Sequence, residues 1–517
     1  MNKYIVLFLL QAISIGLLGQ SRWFKNYYSY ENTVGKHFIQ HYDNGYLLAA
    51  KKGINSANYY GLLKTDINGD ILWEKIIGHQ STGIIIVQMA QNESGDTYIS
   101  GATSFYSQED HDPLIMKINA CGEKEWCRVI IENEYNYAGA IVTTPDGGVA
   151  VILRYMNELL FLDRIGLARF DVDGNLLWKH YYNSTDTALS NEDGWDLTLA
   201  PDGGFLISAT CRYENPDPPH MSSAKPYYIK TDSQGNVEWE NVIYYDTGDN
   251  GGEAWSTVLG PNNKYYYSSL SHYYRGSSYG NAPALLKMDL AGSLIDIYNL
   301  VNPTPIYGKL IEAKFISDTT LMGSAVWNDG PPVAVVFDTL GNLLHQAEIL
   351  NNNYLSMTEV SYDNKLLYMT NIYENDEIFN TYLFKFNSNL LSDTNYNGQF
   401  VYDSLCPYQI TNDTIIQDNC GLIVGENEDY LNFLNDYKLN VYPNPTSGLF
   451  RITNEARGFD ESIIEIFDIK GNKIKSLHFK ENKYTISIDA SSWPKGIYVV
   501  SVLYNAGKLE TSRVFIQ

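Results

Sequence analysis

The chain has 517 residues, 44% of them hydrophobic and 19% charged, which is long enough for more than one folded unit and too apolar for a disordered chain. Sixty acidic residues against 36 basic ones leave a formal charge of -24, which repels phosphate backbones and anionic membranes and argues against a nucleic-acid partner. The 42 tyrosines suit strands that bury one ring and wet the next, as in Tyr27-Tyr28, Tyr181-Tyr182 and Tyr244-Tyr245.

The N-terminus reads as a signal peptide over residues 1–20. Lys3 supplies the positive end, Tyr4 to Leu18 the apolar run, and cleavage is expected near Gly19, Gln20 or Ser21. That run is short for a membrane span, and no second long one follows, so the mature chain is expected to have no transmembrane span. The region lacks a cysteine to carry a lipid.

From residue 40 to 395 one pattern recurs. Its clearest copies are Lys64-Thr-Asp-Ile-Asn-Gly-Asp-Ile-Leu-Trp73, Arg169-Phe-Asp-Val-Asp-Gly-Asn-Leu-Leu-Trp178 and Lys230-Thr-Asp-Ser-Gln-Gly-Asn-Val-Glu-Trp239, with Asn for Asp in the copy from Lys117 to Trp126. Degenerate copies follow at 289–292, 338–341 and 387–389. The anchors Gly69, Gly122, Gly174, Gly235, Gly292, Gly341 and Asn389 are 53, 52, 61, 57, 49 and 48 residues apart. Asp caps a hairpin turn and Gly takes its positive-φ position, between apolar-alternating strands. A second turn precedes each copy, at Asp43-Asn-Gly45, Ser94-Gly95, Asp146-Gly-Gly148, Asp202-Gly-Gly204, Asn262-Asn263, Ser317-Asp318 and Asp363-Asn364.

Two hairpins per repeat make four strands, the content of one propeller blade, so residues 21–395 are expected to form a seven-bladed β-propeller. A linear stack of β units is the other architecture with this signature. The last repeat has a weak fourth strand at Leu390 to Asp393, and Arg22 to Tyr28 resembles Leu72 to Ile77, so the N-terminus is expected to supply the missing strand. The motif resembles the sialidase Asp box, with one more residue between Asp and Gly, and the repeat of pyrroloquinoline-quinone dehydrogenases, without their adjacent cysteines. Both motifs are structural in those families, and the likeness implies a fold and no catalysis.

Residues 396–436, rich in Asn and Asp and ending in the acidic run Glu426 to Asp429, read as a linker. Within it Cys406 and Cys420 are expected to close a disulfide loop of about 15 residues, worth about 3 kcal/mol. Cys121 and Cys127 lie too far apart along a strand to pair with each other, and the pairing of Cys121, Cys127 and Cys211 stays open.

Beyond residue 436 short strands return: 440–442, 449–452, 463–468, 473–479, 484–489, 496–503 and 508–516. Seven strands in this length predict a small immunoglobulin-like β-sandwich over 437–517, making the whole chain all-β. Its motifs, in order, are Tyr442-Pro443-Asn444-Pro445 with Gly448, then Asp468-Ile-Lys-Gly471, then Pro494-Lys-Gly496-Ile-Tyr498, and an apolar end at Val514 to Ile516. This order resembles the type A sorting domain of the Bacteroidetes type IX secretion system. Trp493 and Arg513 depart mildly from the family's leucine and lysine. The resemblance implies the type IX machinery as a partner and a surface or extracellular location.

No nucleophile elbow, zinc-protease helix motif or phosphate loop occurs. His37 and His41, Glu109 to Asp112, and Asp246, Asp249 and Asn250 read better as packing or solvated loops than as metal ligands, so no metal and no cofactor is expected. The best binding positions come from repeat alignment. Trp195 lies eight residues before Gly203 and Trp255 eight before Asn263, with Asp193 and Glu253 at matching positions. An aromatic beside a carboxylate suits a sugar, although Trp wedged between blades is the commoner use. The expectation is a binding or adhesion module for a glycan or protein, the alternative a secreted glycan-active hydrolase with carboxylates in the central pocket.

Overall fold

A computed structural model describes residues 23–27, 31–54, 57–78, 84–104, 111–131, 135–157, 162–182, 189–214, 222–243, 251–275, 279–301, 308–327, 331–349, 357–374, 378–415, 420–424, 439–453, 462–478, 485–503 and 509–517. The signal peptide, Glu109 and Asp110, the Asp246–Asn250 group and the acidic run at 426–429 lie outside them. The chain divides into two compact units, the first reaching Val424 and the second holding 425–517.

Regular structure among the described residues is entirely β. In the first unit it forms seven antiparallel sheets of four strands, two of them widened by a fifth. Each sheet is a meander opening on an innermost strand: Glu31–Gln40, Ile85–Gln91, Tyr135–Thr143, Leu189–Leu199, Gly251–Leu259, Gly308–Ser317 and Met357–Val360. Each innermost strand packs against the next, and Met357–Val360 packs back on Glu31–Gln40, so the sheets follow one another in the closed order of a β-propeller. Phe24–Asn26 completes the last sheet by pairing antiparallel with Ile378–Phe386, as expected for the N-terminal strand.

The repeated motif supplies up to three joints per sheet. In its turn, the side chain of Asp66 accepts N–H bonds from Asn68 and Asp70, and Asp171, Asp232 and Asp338 repeat the bond pair. The Trp four residues after Gly reaches onto the glycine of the next motif, Trp73 on Gly122, Trp126 on Gly174, Trp178 on Gly235 and Trp239 on Gly292. Trp23 and Tyr27, on the returning N-terminal strand, meet Gly69. The basic residue that opens the motif turns inward to the acid of the same sheet's other turn: Lys64 to Asp43 at 2.6 Å, Lys117 to Asp96 at 2.9 Å, Lys230 to Asp202 at 2.7 Å, and likewise Arg169 to Asp146 and Lys385 to Asp363. In the seventh motif the positive-φ residue is Leu390, not Asn389, because the turn is framed by Asn387, whose carbonyl accepts from Leu390 N–H.

Two expectations about 396–436 are corrected. The first unit runs past 395 to Val424: Asp413–Ile415 pairs parallel with Ile71–Ile77, and Gly421–Val424 pairs parallel with Lys124–Ile131. The disulfides are Cys121–Cys406 and Cys127–Cys420, with Cα separations of 5.5 and 4.8 Å, and not Cys406–Cys420. Each late cysteine is carried beside a cysteine of the second sheet by this added run, so two half-cystines near in sequence serve two different partners. Cys211 is buried and takes part in neither disulfide.

The second unit is a pair of sheets. Asn440–Tyr442, Leu449–Thr453 and Thr485–Asp489 form one; Lys473–His478, Ile463–Asp468, Gly496–Leu503 and Leu509–Ile516 form the other. Phe450, Ile452, Ile464, Ile466, Ile488, Tyr498, Val500, Val502 and Val514 fill the core between them.

Candidate functional site

The innermost strands share an irregularity. In six of the seven described, the pairing with the second strand skips one or two residues: Lys36, Val87, Gly139 with Ala140, Trp195, Trp255 and Ile311. A β-bulge re-aims its side chain and sharpens the local twist. Both tryptophans singled out by repeat alignment are bulge residues.

They come together. The Trp195 and Trp255 rings have centroids 4.9 Å apart at 38°, on adjacent innermost strands. Each indole N–H donates to a hydroxyl at the matching place on the second strand of its own sheet, Trp195 to Thr210 Oγ1 at 3.1 Å and Trp255 to Ser271 Oγ at 3.2 Å. Both hydroxyl residues are buried while both tryptophans are half-buried, so the rings are fixed at one edge and partly open to solvent. Asp193 is held by Arg154 at 3.1 Å, and Arg154 also donates to Tyr137 OH at 2.8 Å. On the other flank Lys309 Nζ stands 4.4 Å from the Trp255 ring centroid. Burial lowers the Lys309 pKa, and the charge of Glu253 opposes that shift.

The residue after five of these six bulges does different work, which the repeat alignment missed. Its side chain accepts a backbone N–H from the next innermost strand: Gln88 from Ile141 at 2.9 Å, Asp196 from Thr257 at 2.8 Å, Ser256 from Ala313 at 3.3 Å and Glu312 from Thr358 at 2.8 Å. His37 Nδ1 accepts from Met89 at 3.3 Å. These groups form a polar collar that joins sheet to sheet. A signal for them was present: His37, Gln88, Asp196 and Ser256 each lie seven residues before the positive-φ residue of the following turn, Asn44, Gly95, Gly203 and Asn263.

The collar is charged on one side. Lys314 Nζ lies 3.0 Å from Glu359 and 3.6 Å from Glu312. Burial raises the Asp196 pKa to about 6, with Glu312 adding to the rise. Burial and the Lys314 charge push His37 down to about 3, so it stays neutral. His41 is buried against Asp43 in the first turn and is a packing residue. Among the described residues no three His, Cys, Asp or Glu side chains are grouped to hold a metal ion.

In the second unit the motif residues brace the last strand. Asn444 Nδ2 donates to Arg513 O at 2.7 Å, and Asn444 Oδ1 accepts from Phe515 N at 2.9 Å. Tyr442–Pro443 and Asn444–Pro445 are cis peptides. Asp468 builds the same turn as Asp66, capped by Gly471 at positive φ. Tyr498 OH donates to Pro494 O at 2.8 Å, and Trp493 packs on the Tyr498 ring at 5.2 Å. Gly448 faces Ser491 so closely that a Cβ would stand 2.9 Å from its Cα, and Pro494 and Gly496 lead into the third strand of the larger sheet.

Residues 440–517 match the family of secretion system C-terminal sorting domains. No curated protein matches the chain. Among solved structures the chain is similar to the β-propeller domain of the Trilobed protease from Pyrococcus furiosus, at 9% identity and a TM-score of 0.43 over 73% of this chain and 96% of that one. It is similar also to the periplasmic gluconolactonase PpgL of Pseudomonas aeruginosa, at 9% identity and a TM-score of 0.43 over 72% and 96%. The sorting domain implies contact with the secretion machinery and export to the cell surface or extracellular space. The chain is a protein with a β-propeller repeat region that carries a type IX secretion system C-terminal sorting domain.

Proposed function

We propose that the chain is a seven-bladed propeller with an immunoglobulin-like sorting domain, led to the periplasm by residues 1–20, and that outside the cell it binds a saccharide at Trp195 and Trp255. The observation that carries this reading is the indole pair, 4.9 Å apart and tied at both N–H groups while half-open to solvent. Rings fixed in this way lose little freedom when a pyranose stacks on them, and Asp193 and Glu253 beside them offer oxygens for sugar hydroxyls.

A glycan-active hydrolase is the second reading, favoured by the acids of the collar, Asp196, Glu312 and Glu359. Binding without turnover is supported better, because Asp196 and Glu312 accept backbone N–H groups of the next strand and Glu359 is paired with Lys314. A carboxylate committed in this way is poorly placed to give or take a proton at substrate.

A glycan-array screen of the full chain, with products monitored on each hit, tests the reading. Binding without turnover, lost in Trp195→Ala and Trp255→Ala, is expected. Turnover would replace it with the hydrolase, and silence on glycans would move it to a protein ligand.

A further inference from the structure

We propose that the saccharide taken at the Trp195–Trp255 pair is acidic, an oligosaccharide bearing carboxylate or sulfate, and that Lys309 binds its anionic group. The inference rests on the saccharide reading of that pair and adds the charge of the ligand.

The argument begins with how this chain treats its other cations. The molecule carries a formal charge of -24, and most of its buried lysines are paired, as Lys52 with Glu74, Lys64 with Asp43, Lys117 with Asp96 and Glu125, and Lys230 with Asp202 and Glu238. Half-buried lysines divide: Lys25, Lys314 and Lys365 have a carboxylate partner, while Lys36, Lys51, Lys287 and Lys309 have none within ion-pair distance among the described residues. A desolvated ammonium without a counter-charge is costly, and the usual remedy is a carboxylate.

Lys309 is one of the unpaired group, and the ring it rests on belongs to the indole pair, whereas Lys287 rests on Tyr265. It is half-buried on an innermost strand, and among the described residues no carboxylate lies within ion-pair distance of it. Its contact is the face of the Trp255 ring at 4.4 Å, a cation–π attraction weaker than a charge-assisted bond. Glu253 acts on it only from farther off. Lys36, the bulge residue of the first sheet, is another half-buried cation without an ion pair, and Lys51 nearby repels it. On the opposite flank of the indoles, Arg154 is already answered by Asp193. One unanswered cation therefore touches the aromatic platform, on a four-carbon stem that can leave the ring for a stronger partner. A charge-assisted bond to a ligand carboxylate or sulfate is that partner.

The test is calorimetric titration of the full chain with three probes: tetragalacturonate, a sulfated carrageenan tetrasaccharide and neutral cellotetraose. At least one acidic probe is expected to bind about tenfold or more tighter than the neutral one, the affinity of one charge-assisted bond, and to weaken as salt rises. The probe that binds, galacturonate or carrageenan, assigns the anion as carboxylate or sulfate. Lys309→Gln should bring the acidic probe to the neutral level and Lys309→Arg should retain the preference, with unfolding temperatures matching the parent. Equal affinity for neutral and acidic probes, or a preference that survives Lys309→Gln, overturns the inference and leaves the saccharide platform standing. No binding of any probe sinks the platform and the inference with it.

Discussion

The indole of Trp126 lies over Gly174, the glycine of the next motif, so closely that a Cβ built on Gly174 would stand 2.6 Å from Trp126 Cδ2. Glycine is required there twice, by the ring above it and by a φ of +78°. Gly174→Ala is expected to cost about 2–5 kcal/mol, combining left-handed strain with overpacking. Gly203 has a φ of +85° and nothing within 4 Å, so Gly203→Ala should carry the strain alone, about 1–2 kcal/mol. Denaturation midpoints of the two variants decide it, and equal losses would mean that the Trp-on-Gly contact is inert.

Asp43 and Lys64 form a buried pair in the first turn, with side chains 1% and 0% exposed. Removing one partner strands the other, so Asp43→Asn should cost about 3–5 kcal/mol. Burial would raise the Asp43 pKa, but His41, Lys64 and the Asp403 N–H outweigh it and hold the carboxyl well below its usual range. A depressed acid gives stability that is full above its unfolded value and lost as pH falls toward the folded one. The parent should therefore lose stability on acidification more steeply than Asp43→Asn, as followed by thermal midpoints across pH.

Asp196 has the opposite sign. Its folded pKa of about 6 lies above the ordinary 3.8, so between those values the folded state holds a proton that the unfolded state has released. Its contribution therefore falls as pH rises through that window. Asp196→Asn keeps an acceptor for the Thr257 N–H and removes the charge. The variant should be more stable than the parent at neutral pH and lose that advantage in acid. A parent-minus-variant difference that does not change with pH would contradict the buried-acid account.

Non-reducing peptide mapping should recover Cys121 linked to Cys406 and Cys127 linked to Cys420, with Cys211 reactive only after unfolding. With one bridge intact the other closes only the short loop made of 121–127 and 406–420, so opening either by Cys→Ser should cost about 3 kcal/mol in the chain-entropy model. A Cys406–Cys420 peptide would overturn the pairing.

Deleting residues 437–517 should hold the protein inside the outer membrane, as read by surface labelling of intact cells. Normal surface display of the truncated chain would remove the sorting domain from the export route.

The sequence by itself determined the elements that are local. A turn is built from four or five consecutive residues, so Asp66 to Gly69 and its copies announce themselves. Strand alternation and the ordered motifs from Tyr442 to Tyr498 are equally local and locate the second unit. The Leu390 turn was misplaced by one residue because Asn389 has the conformational preference while the hydrogen-bond frame belongs to Asn387.

Tertiary structure decided everything that joins residues distant in the chain. Repeat alignment paired Trp195 with Trp255 as equivalents, but only sheet-to-sheet packing makes them neighbours and brings Lys309 onto the ring. The collar bonds run from one sheet to the next, and the Lys64–Asp43 bond spans two turns of a single sheet. Cys121 meets Cys406, and Gly421–Val424 pairs parallel with the second sheet, because a stretch that looked like linker packs on the first unit. Composition cannot encode such meetings. A buried contact is selected by which surfaces exclude water together, and that is settled when the sheets pack.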